Sequence, residues 1–513
     1  GAAVTDVEFG YDGKVYVTDF VKGWKSHNDG RLYTISSEAN DKDPLVAEVS
    51  KLVSEGFSHR DPAKLLELLD HPDQRVRLRA TLALSHKPEG LHLFGLAATQ
   101  RDQRLKRLHG VWGLWMLARR EQSAEATETL LSLLADNDSE IRSQAAKALG
   151  EAPLEDAGPL ATSLRDPSAR VRAFAAISLG RQKATAHVND LIVLLAENSN
   201  SDLHLRHAGI MGLVGCATPQ QLAALKGNPS TEVRIAAVVA LRRLKHPGIV
   251  AFLFDQDAKI ADEVIRAVHD VPIEAARPAI AALLSDYLPG KPGRPLTRMQ
   301  LRRIVHSAFR TGTAESVAHL LQFSGNPEAN LEERLEALRL LSVWDNPPSV
   351  DQSLGRHMPL PPRDLSTVRA AFEAHLPALL EQGGPILAAA IGLAGQHGMA
   401  VEKLNDEILA SMVANTTQES SSRIRALELL AQRNSTSLAG LLPKLIKDPN
   451  DAIAIRTLSL LTERNPTEAI NPIRKVIGSG NDRRKQHAWS QLATLPVPEA
   501  VTELTRGLAS LQG

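Results

Sequence analysis

The chain has 513 residues, and its 59 lysines and arginines balance its 59 aspartates and glutamates, so the formal net charge is zero. This balance excludes a general electrostatic attraction to nucleic acid or to acidic membranes, while a local basic patch stays compatible with it. A single cysteine, Cys216, excludes an internal disulfide, a cysteine-rich metal site and a Cys-x-x-Cys-His heme attachment within this chain.

Leucine and alanine recur throughout, whereas aromatic residues make up only 4% of the chain. This bias favours helices packed on helices over a large β structure. No apolar run reaches about 18 residues, the length that spans a bilayer, so we expect no direct membrane insertion. The chain opens Gly-Ala-Ala-Val-Thr, with neither an initiator methionine nor a signal peptide. We therefore expect a fragment or a processed piece.

Residues 1–40 differ from the rest, because they contain three short β-rich runs at Val4–Phe9, Lys14–Asp19 and Arg31–Ile35. The first two are joined by Gly-Tyr-Asp-Gly, a strong hairpin signal because Asp-Gly tolerates positive φ. The third follows a polar stretch, residues 22–30. The pattern predicts an antiparallel β meander. We interpret it as one severed blade of a β-propeller, with an N-terminal hairpin capping a helical domain as the alternative.

From about Asp43 the sequence repeats itself with a period of about 30 residues and two helical stretches per unit, which predicts an all-α chain built as an α-solenoid. The clearest copies are residues 136–150 and 166–180. An apolar residue followed by Arg or Lys marks each copy, at Val76, Leu105, Ile141, Val171, Leu205, Val233, Ile424 and Ile455.

Each part of the repeat has a predicted role. The aspartates set a turn and cap the next helix, alanines allow close helix approach, and Gly150 and Gly180 end their helices. Arginines near the turns predict a ladder that bonds turn aspartates of the same or an adjacent repeat. The alternative is an arginine row that grips phosphates. The predicted ladder residues are Asp136, Arg142, Asp166, Arg172, Arg77 and Arg234.

Two proline-rich segments interrupt the array, at residues 287–295 and 344–363. They cannot be helical, and they indicate either a subdomain boundary or a partner contact. We predict the β meander at 1–40, a first set of repeats at 41–288, irregular loops with intervening helices at 289–362, and a second set of repeats at 363–513.

Two groups of side chains have residue types that metal or ligand binding uses. His204 and His207 lie three residues apart on one predicted helix, where they either share a metal or are ordinary histidines. His109, Trp112 and Trp115 form an aromatic stripe that either lines a ligand groove or packs in the core.

Cys216 is expected to pack as a small hydrophobe, with a nucleophilic role as the alternative. Short basic clusters are interpreted as solvated helix faces or as one partner surface, with candidate residues Arg104, Lys106, Arg107, Arg242, Arg243 and Lys245. No catalytic, cofactor-binding or metal-binding residue is predicted.

The order of these parts resembles the PVC-type heme-binding family of membrane-bound dehydrogenases. The similarity lies in the propeller-like phrases of residues 12–19 and 30–33, in Arg107–Leu114, and in Arg334–Leu341 running into Trp344 and the prolines after it. The resemblance implies a propeller, a long HEAT-like helical region and a C-terminal cytochrome module in the parent protein. Only the middle part is present here. It implies no cofactor in this chain, heme c only in the missing module, and a periplasmic or exported location.

Three hypotheses about function follow. The first is a non-catalytic scaffold within a larger exported redox protein, which holds its flanking modules or protein partners. The second is a free-standing adaptor whose concave face binds protein partners. The third is a HEAT-repeat enzyme of the bilin lyase or DNA glycosylase type. The neutral charge favours protein partners over nucleic acid.

Overall fold

The computed structural model of the chain describes residues 4–21, 29–291, 293, 295–399, 405–418 and 420–511. The chain forms two compact units, residues 1–244 and 245–513. Each unit is an α-solenoid of HEAT-like helix pairs, and the first unit also carries a small antiparallel sheet. The predicted fold class is confirmed.

The sheet contains strands β1 (Val4–Phe9), β2 (Val15–Asp19) and β3 (Arg31–Ile35), in the order β1-β2-β3 with both pairings antiparallel. The turn between β1 and β2 needs glycine at Gly13, whose φ is +76°. Residues 22–28 of the predicted polar stretch lie outside the described residues. The predicted meander is confirmed.

The helices of the first unit are α1 (Glu38–Asp41), α2 (Pro44–Glu55), α3 (Pro62–Leu68), α4 (Gln74–Leu84), α5 (Gly90–Thr99), α6 (Arg104–Glu121), α7 (Ala124–Ser132), α8 (Ser139–Leu149), α9 (Gly158–Thr162), α10 (Ala169–Arg181), α11 (Val188–Asn198), α12 (Leu203–Cys216), α13 (Pro219–Ala224) and α14 (Thr231–Arg243). From α3 onward they form pairs. The second helices of successive pairs, α4, α6, α8, α10, α12 and α14, pack against one another in order.

The helices of the second unit are α15 (Ala258–Asp270), α16 (Arg277–Ala282), α17 (Arg298–Thr311), α18 (Ala314–Ser324), α19 (Leu331–Ser342), α20 (Ser366–Glu381), α21 (Gly384–Gln396), α22 (Asp406–Ala414), α23 (Ser420–Gln432), α24 (Ser437–Leu445), α25 (Asp451–Arg464), α26 (Pro466–Ser479), α27 (Asp482–Thr494) and α28 (Pro498–Leu511). Here the odd-numbered helices from α15 to α27 pack in succession. Short 3₁₀ segments occur at Leu133–Ala135, Ser163–Arg165, Thr185–His187, Leu225–Gly227, Pro247–Phe252, Glu274–Ala276 and Leu283–Tyr287.

The turn before each second helix is held by local side-chain bonds. The Asp136 carboxylate accepts the backbone N–H of Asp138 at 2.8 Å, and the Asp138 carboxylate accepts the N–H of Glu140 at 2.8 Å. The second bond caps α8, because it satisfies an amide that the first helical turn leaves unpaired. The same pattern recurs at Asn228 and Asp448.

The core lies between the helix layers and consists mainly of buried leucine and alanine. Small residues allow the second helices to approach closely. A Cβ on Gly150 would stand 2.5 Å from Ser178 Oγ, and one on Gly180 would stand 2.7 Å from the carbonyl oxygen of Met211. Gly180 lies inside α10, which continues to Arg181, so the predicted role of Gly180 as a helix stop is wrong. Packing against α12 is the physical reason for glycine there.

The second proline-rich segment contains a small hairpin, with strands β4 (Val350–Asp351) and β5 (Arg356–His357) paired antiparallel. It lies between α19 and α20. The first proline-rich segment lies between the 3₁₀ turn that ends at Tyr287 and the start of α17. Its Pro292 and Arg294 are outside the described residues.

Candidate functional site

The repeat arginines clamp the turn of their own repeat. In each case Nη1 of the arginine donates to the carbonyl oxygens that lie six and five residues earlier, at distances of 2.6–3.3 Å. This geometry satisfies carbonyl groups that the turn leaves unpaired. The arginines that make this pair of bonds are Arg77, Arg142, Arg172 and Arg234.

Ion pairs connect neighbouring repeats. Arg142 binds the Asp166 carboxylate with two bonds, from Nε at 2.7 Å and from Nη2 at 3.0 Å. Burial opposes ionisation of Asp166, but the hydrogen bonds from Arg142 and from the Ser168 N–H, together with the charges of Arg142 and Arg172, outweigh it and lower the pKa of that carboxyl. Arg107 pairs with Asp136 through Nη2 alone. These contacts rigidify the stack, and they occupy the guanidinium groups that a phosphate-gripping row would need free.

Lys106 and Arg107 are buried, with 8% and 6% of their surface exposed. Arg107 also donates from Nε to the carbonyl oxygen of Ala98 at 2.9 Å. The sequence placed the apolar marker of this repeat at Leu105 and its basic residue at Lys106. Both assignments are one residue too early, because the buried position is that of Lys106. Lys106 occupies the buried marker position, and Arg107 is the ladder arginine. Neither side chain is available to a partner, so their assignment to a partner surface is wrong.

The remaining residues of the basic clusters are more accessible. Arg104 is exposed and pairs with Asp138 at 2.8 Å. Arg242 is half-buried and Arg243 is exposed in α14, whereas Lys245 is an exposed residue of the second unit.

The predicted metal and thiol candidates have ordinary surroundings. His204 and His207 are both exposed on α12. Within the described residues, no group of three or more His, Cys, Asp or Glu side chains could hold a metal ion. Cys216 is buried, and its Sγ lies 3.2 Å from the carbonyl oxygen of Leu179. Burial raises the pKa of the Cys216 thiol to about 11, so the thiolate that a nucleophile needs is not populated near neutral pH.

The aromatic stripe of α6 does border a groove. His109 Nε2 accepts a hydrogen bond from Arg77 Nε at 3.2 Å, and His109 Nδ1 lies 2.8 Å from Thr81 Oγ1. Burial, with the nearby Arg77 charge, lowers the pKa of His109 to about 4, so the ring is neutral at pH 7. The ring of Trp112 packs edge-on against His109, with centroids 4.8 Å apart, and its Nε1 donates to Gln144.

We call this depression groove 1. It has a volume of about 320 Å³ and lies between the N-terminal halves of α4 and α6, lined by Gln74, Arg75, Arg77, Leu78, Leu105, Leu108, His109 and Trp112. Leu78 and Leu105 are 50% and 43% exposed, and Leu82 on the same face of α4 is 45% exposed. Groove 1 is thus a mainly apolar surface that is open to solvent.

The β meander stands beside groove 1. Arg75 Nη1 donates to the carbonyl oxygens of Phe9 and Gly10 at 3.3 and 3.0 Å, and its guanidinium lies 4.9 Å from the centre of the Tyr11 ring. Arg79 Nη2 donates to the Tyr11 hydroxyl at 2.7 Å. Most apolar side chains of the sheet nevertheless remain exposed, namely Val4, Val7, Phe9, Leu32, Tyr33 and Ile35.

A second depression, groove 2, lies in the second unit across α19, α21 and α23, with a volume of about 570 Å³. Its lining combines small and apolar residues, such as Ala388 and Gly392, with polar side chains. The charged groups there are paired, since Arg425 contacts Glu428 at 2.9 Å and Arg339 contacts Glu336 at 2.6 Å.

A buried polar network in the second unit was not foreseen from the sequence. His269 Nε2 lies 2.7 Å from Ser353 Oγ, which donates to Asp351 Oδ1 at 2.6 Å. His269 Nδ1 faces Ser307 Oγ at 3.3 Å. The serine, not the histidine, therefore bridges to the carboxylate, which is the reverse of a catalytic triad.

Burial lowers the pKa of His269 to about 4. The Asp351 carboxylate also accepts a bond from Arg310 at 3.3 Å, and Arg356 donates to the Asp270 carbonyl at 2.8 Å. The network fastens the β4–β5 hairpin to α15 and α17. Its members are distant in sequence and follow no recognised motif, so no local signal could have found it.

Residues 158–242 match the family model for HEAT repeats. No curated protein matches the chain. Among solved structures, similarity is found to a homology model of the full-length AP-3 complex in an intermediate open conformation (14% identity, 92% of this chain and 98% of that chain, TM-score 0.33). Similarity is also found to the complex of CpcE and CpcF of phycocyanin lyase from Nostoc sp. PCC7120. The identity is 20%, the match covers 51% of this chain and 90% of that chain, and the TM-score is 0.22.

Kap121p bound to Nup53p is a third similar structure, with 13% identity, 88% of this chain and 54% of that chain covered, and a TM-score of 0.37. The chain thus spans about half the length of Kap121p. All three TM-scores lie below 0.5, so these similarities carry no inference about partners or activity.

Within the described residues, no helix is both long and apolar enough to cross a bilayer.

Proposed function

We propose that this chain is a non-catalytic helical-repeat scaffold that binds protein partners along the second helices of its repeats. One observation carries the proposal: groove 1 and groove 2 both open between second helices of successive repeats. Among the ionisable groups with strongly shifted pKa values, Cys216, His109 and His269 are engaged in contacts that hold helices together. In groove 1, Arg77 bonds both the turn before α4 and His109 of α6, which holds the two helices together and lowers the entropy lost on binding.

Site-specific photo-cross-linking in extract of the source cells tests this function. A photoreactive amino acid is placed at Leu78 in groove 1 and at Gln432 in groove 2, both exposed. Exposed positions outside the grooves, Leu203 on α12 and Val501 on α28, are the matched controls. We expect one protein to be cross-linked in stoichiometric amount from a groove position and not from its control. Equal labelling from grooves and controls would contradict the proposal.

We further propose that the scaffold belongs to a larger exported redox protein of the PVC-type heme-binding kind. The meander supports this reading. Strands β1 and β3 each pair only with β2 among the described residues, and the sheet exposes most of its apolar side chains. Such a sheet is marginal alone and would gain from neighbouring blades. Any heme c would then belong to a separate cytochrome module, and the location would be periplasmic or exported.

The gene sequence on both sides of the region that encodes this chain decides the second proposal. A complete propeller upstream and a Cys-x-x-Cys-His motif downstream are expected. A start codon directly before Gly1 together with a stop codon after Gly513 would overturn the redox parent, while leaving the protein-binding scaffold in place.

A further inference from the structure

We propose that groove 1 binds an acidic, amphipathic α-helical segment of a protein partner. This inference rests on the proposed scaffold function and specifies the chemistry of one of its sites. It is carried by three features of α4 and α6: an open apolar floor, guanidinium groups without carboxylate partners, and a spacing of side chains that matches a helix.

Charged side chains do not cover the apolar floor of groove 1, whereas they do cover the apolar surface of α10. Phe174, on the second helix α10, is half-buried beneath charged side chains, with Lys147 and Arg170 lying 5.7 and 5.1 Å from its ring centre. Long cationic side chains of this kind commonly cover apolar surface with their stems. Leu78 and Leu105 remain about half exposed instead. Covering them is the gain that a partner would obtain.

The charge around groove 1 favours an acidic partner. Arg75 is neutralised by Asp73, to which it bonds at 2.6 Å. Arg77 and Arg79 contact no carboxylate in the part of the chain that the structure describes. Arg77 uses Nη1 and Nε for the turn and for His109, and its Nη2 has no hydrogen-bond partner among the described residues. A guanidinium at the edge of an apolar groove is a preferred carboxylate site.

The spacing favours a helix over a strand. Leu78 and Leu82 lie one helical turn apart on α4, and Leu108 and Trp112 lie one turn apart on α6. The two rows present ridges between which a third helix can pack, its side chains entering at positions i, i+4 and i+7. The stretch from Gln74 to Leu82 is about 12 Å long, which accommodates about two turns of the incoming helix.

The closing experiment measures binding of defined peptides to the full chain by fluorescence anisotropy. The probe is a peptide of about 16 residues, long enough to form helix, with leucines at i, i+4 and i+7 and glutamates flanking that row. Two control peptides carry serine in place of the leucines, or lysine in place of the glutamates. We expect only the acidic leucine peptide to bind, with a change in tryptophan emission that Trp112→Phe abolishes.

Variants of exposed residues locate the site without disturbing the core. Leu78→Glu and Leu105→Glu should each weaken binding at least about tenfold, as expected for the centre of a contact. Leu203→Glu adds the same charge at an exposed leucine of α12, outside the groove, and should bind like the unchanged chain. Arg79→Gln should weaken binding about threefold or more and flatten its dependence on salt.

Three results would overturn the inference. If the lysine peptide binds as tightly as the glutamate peptide, groove 1 does not prefer an acidic partner. If Leu78→Glu and Leu105→Glu bind the peptide with unchanged affinity, the peptide does not bind in groove 1. A dimer of the unchanged chain in sedimentation, dissociated by Leu78→Glu, assigns the groove to a second copy. In each case a partner cross-linked from Gln432 would still support the scaffold function, so the two failures are distinguishable.

Discussion

Replacement of Gly215 by alanine tests the close packing of the second helices. Gly215 lies in α12 against Gly180 of α10, and a Cβ there would stand 2.0 Å from the Gly180 carbonyl oxygen and 2.5 Å from its carbonyl carbon. Both are backbone atoms, so the helices must separate. Alanine stabilises a helix by about 1 kcal/mol relative to glycine. Overpacking costs about 1–3 kcal/mol, and a backbone clash lies at the upper end. We expect a net loss of about 2 kcal/mol.

Urea denaturation of the full chain, followed by circular dichroism, measures this change. The matched control is Gly95→Ala in α5, where an added Cβ would meet no atom within 4 Å. The control should raise the free energy of unfolding by about 0.5–1 kcal/mol, because only the helix preference changes there. If Gly215→Ala were as stable as Gly95→Ala, the close approach of α10 and α12 would be refuted.

Three further predictions concern titratable groups of the first unit. Asp166→Asn should destabilise the chain by about 1–3 kcal/mol at pH 7, since it leaves Arg142 without its carboxylate. The pKa of Asp166 is lowered in the folded state, so that difference should be full above about pH 4, the unfolded value, and should shrink as denaturation is repeated at lower pH. The pKa of His109 is lowered to about 4, so protonation opposes folding as pH falls from about 6.5 towards 4. His109→Gln should remove that part of the pH dependence, and an unchanged stability profile would contradict it. Cys216 should react with a thiol reagent such as DTNB only after urea unfolds the chain, and rapid labelling of the native chain would show that the thiol is accessible.

Features that depend on neighbouring residues can be predicted from the amino-acid order. The Asp-Gly pair at the first turn, with β-rich runs on either side, is sufficient to predict the β meander. The turn at Asp136 and Asp138 is sufficient to predict the start of α8. Each aspartate accepts the backbone N–H two residues onward, and this contact involves only neighbouring residues. Apolar periodicity near 30 residues then predicted the solenoid, since each helix pair must bury its face against the next.

Contacts between segments that are distant in sequence become visible only in the folded chain. A repeat marker predicts apolar residues inside, yet Lys106 occupies that position while Leu105 faces groove 1. Gly180 is required by the backbone of α12, which the local sequence around it does not reveal. His269 meets Ser353 across 84 positions of the chain. Local conformational preferences act over a few residues, whereas burial and the approach of helices depend on the whole stack of repeats. For this reason the exposure of Leu78 and Leu105 beside Arg77 can be seen only once the stack has formed.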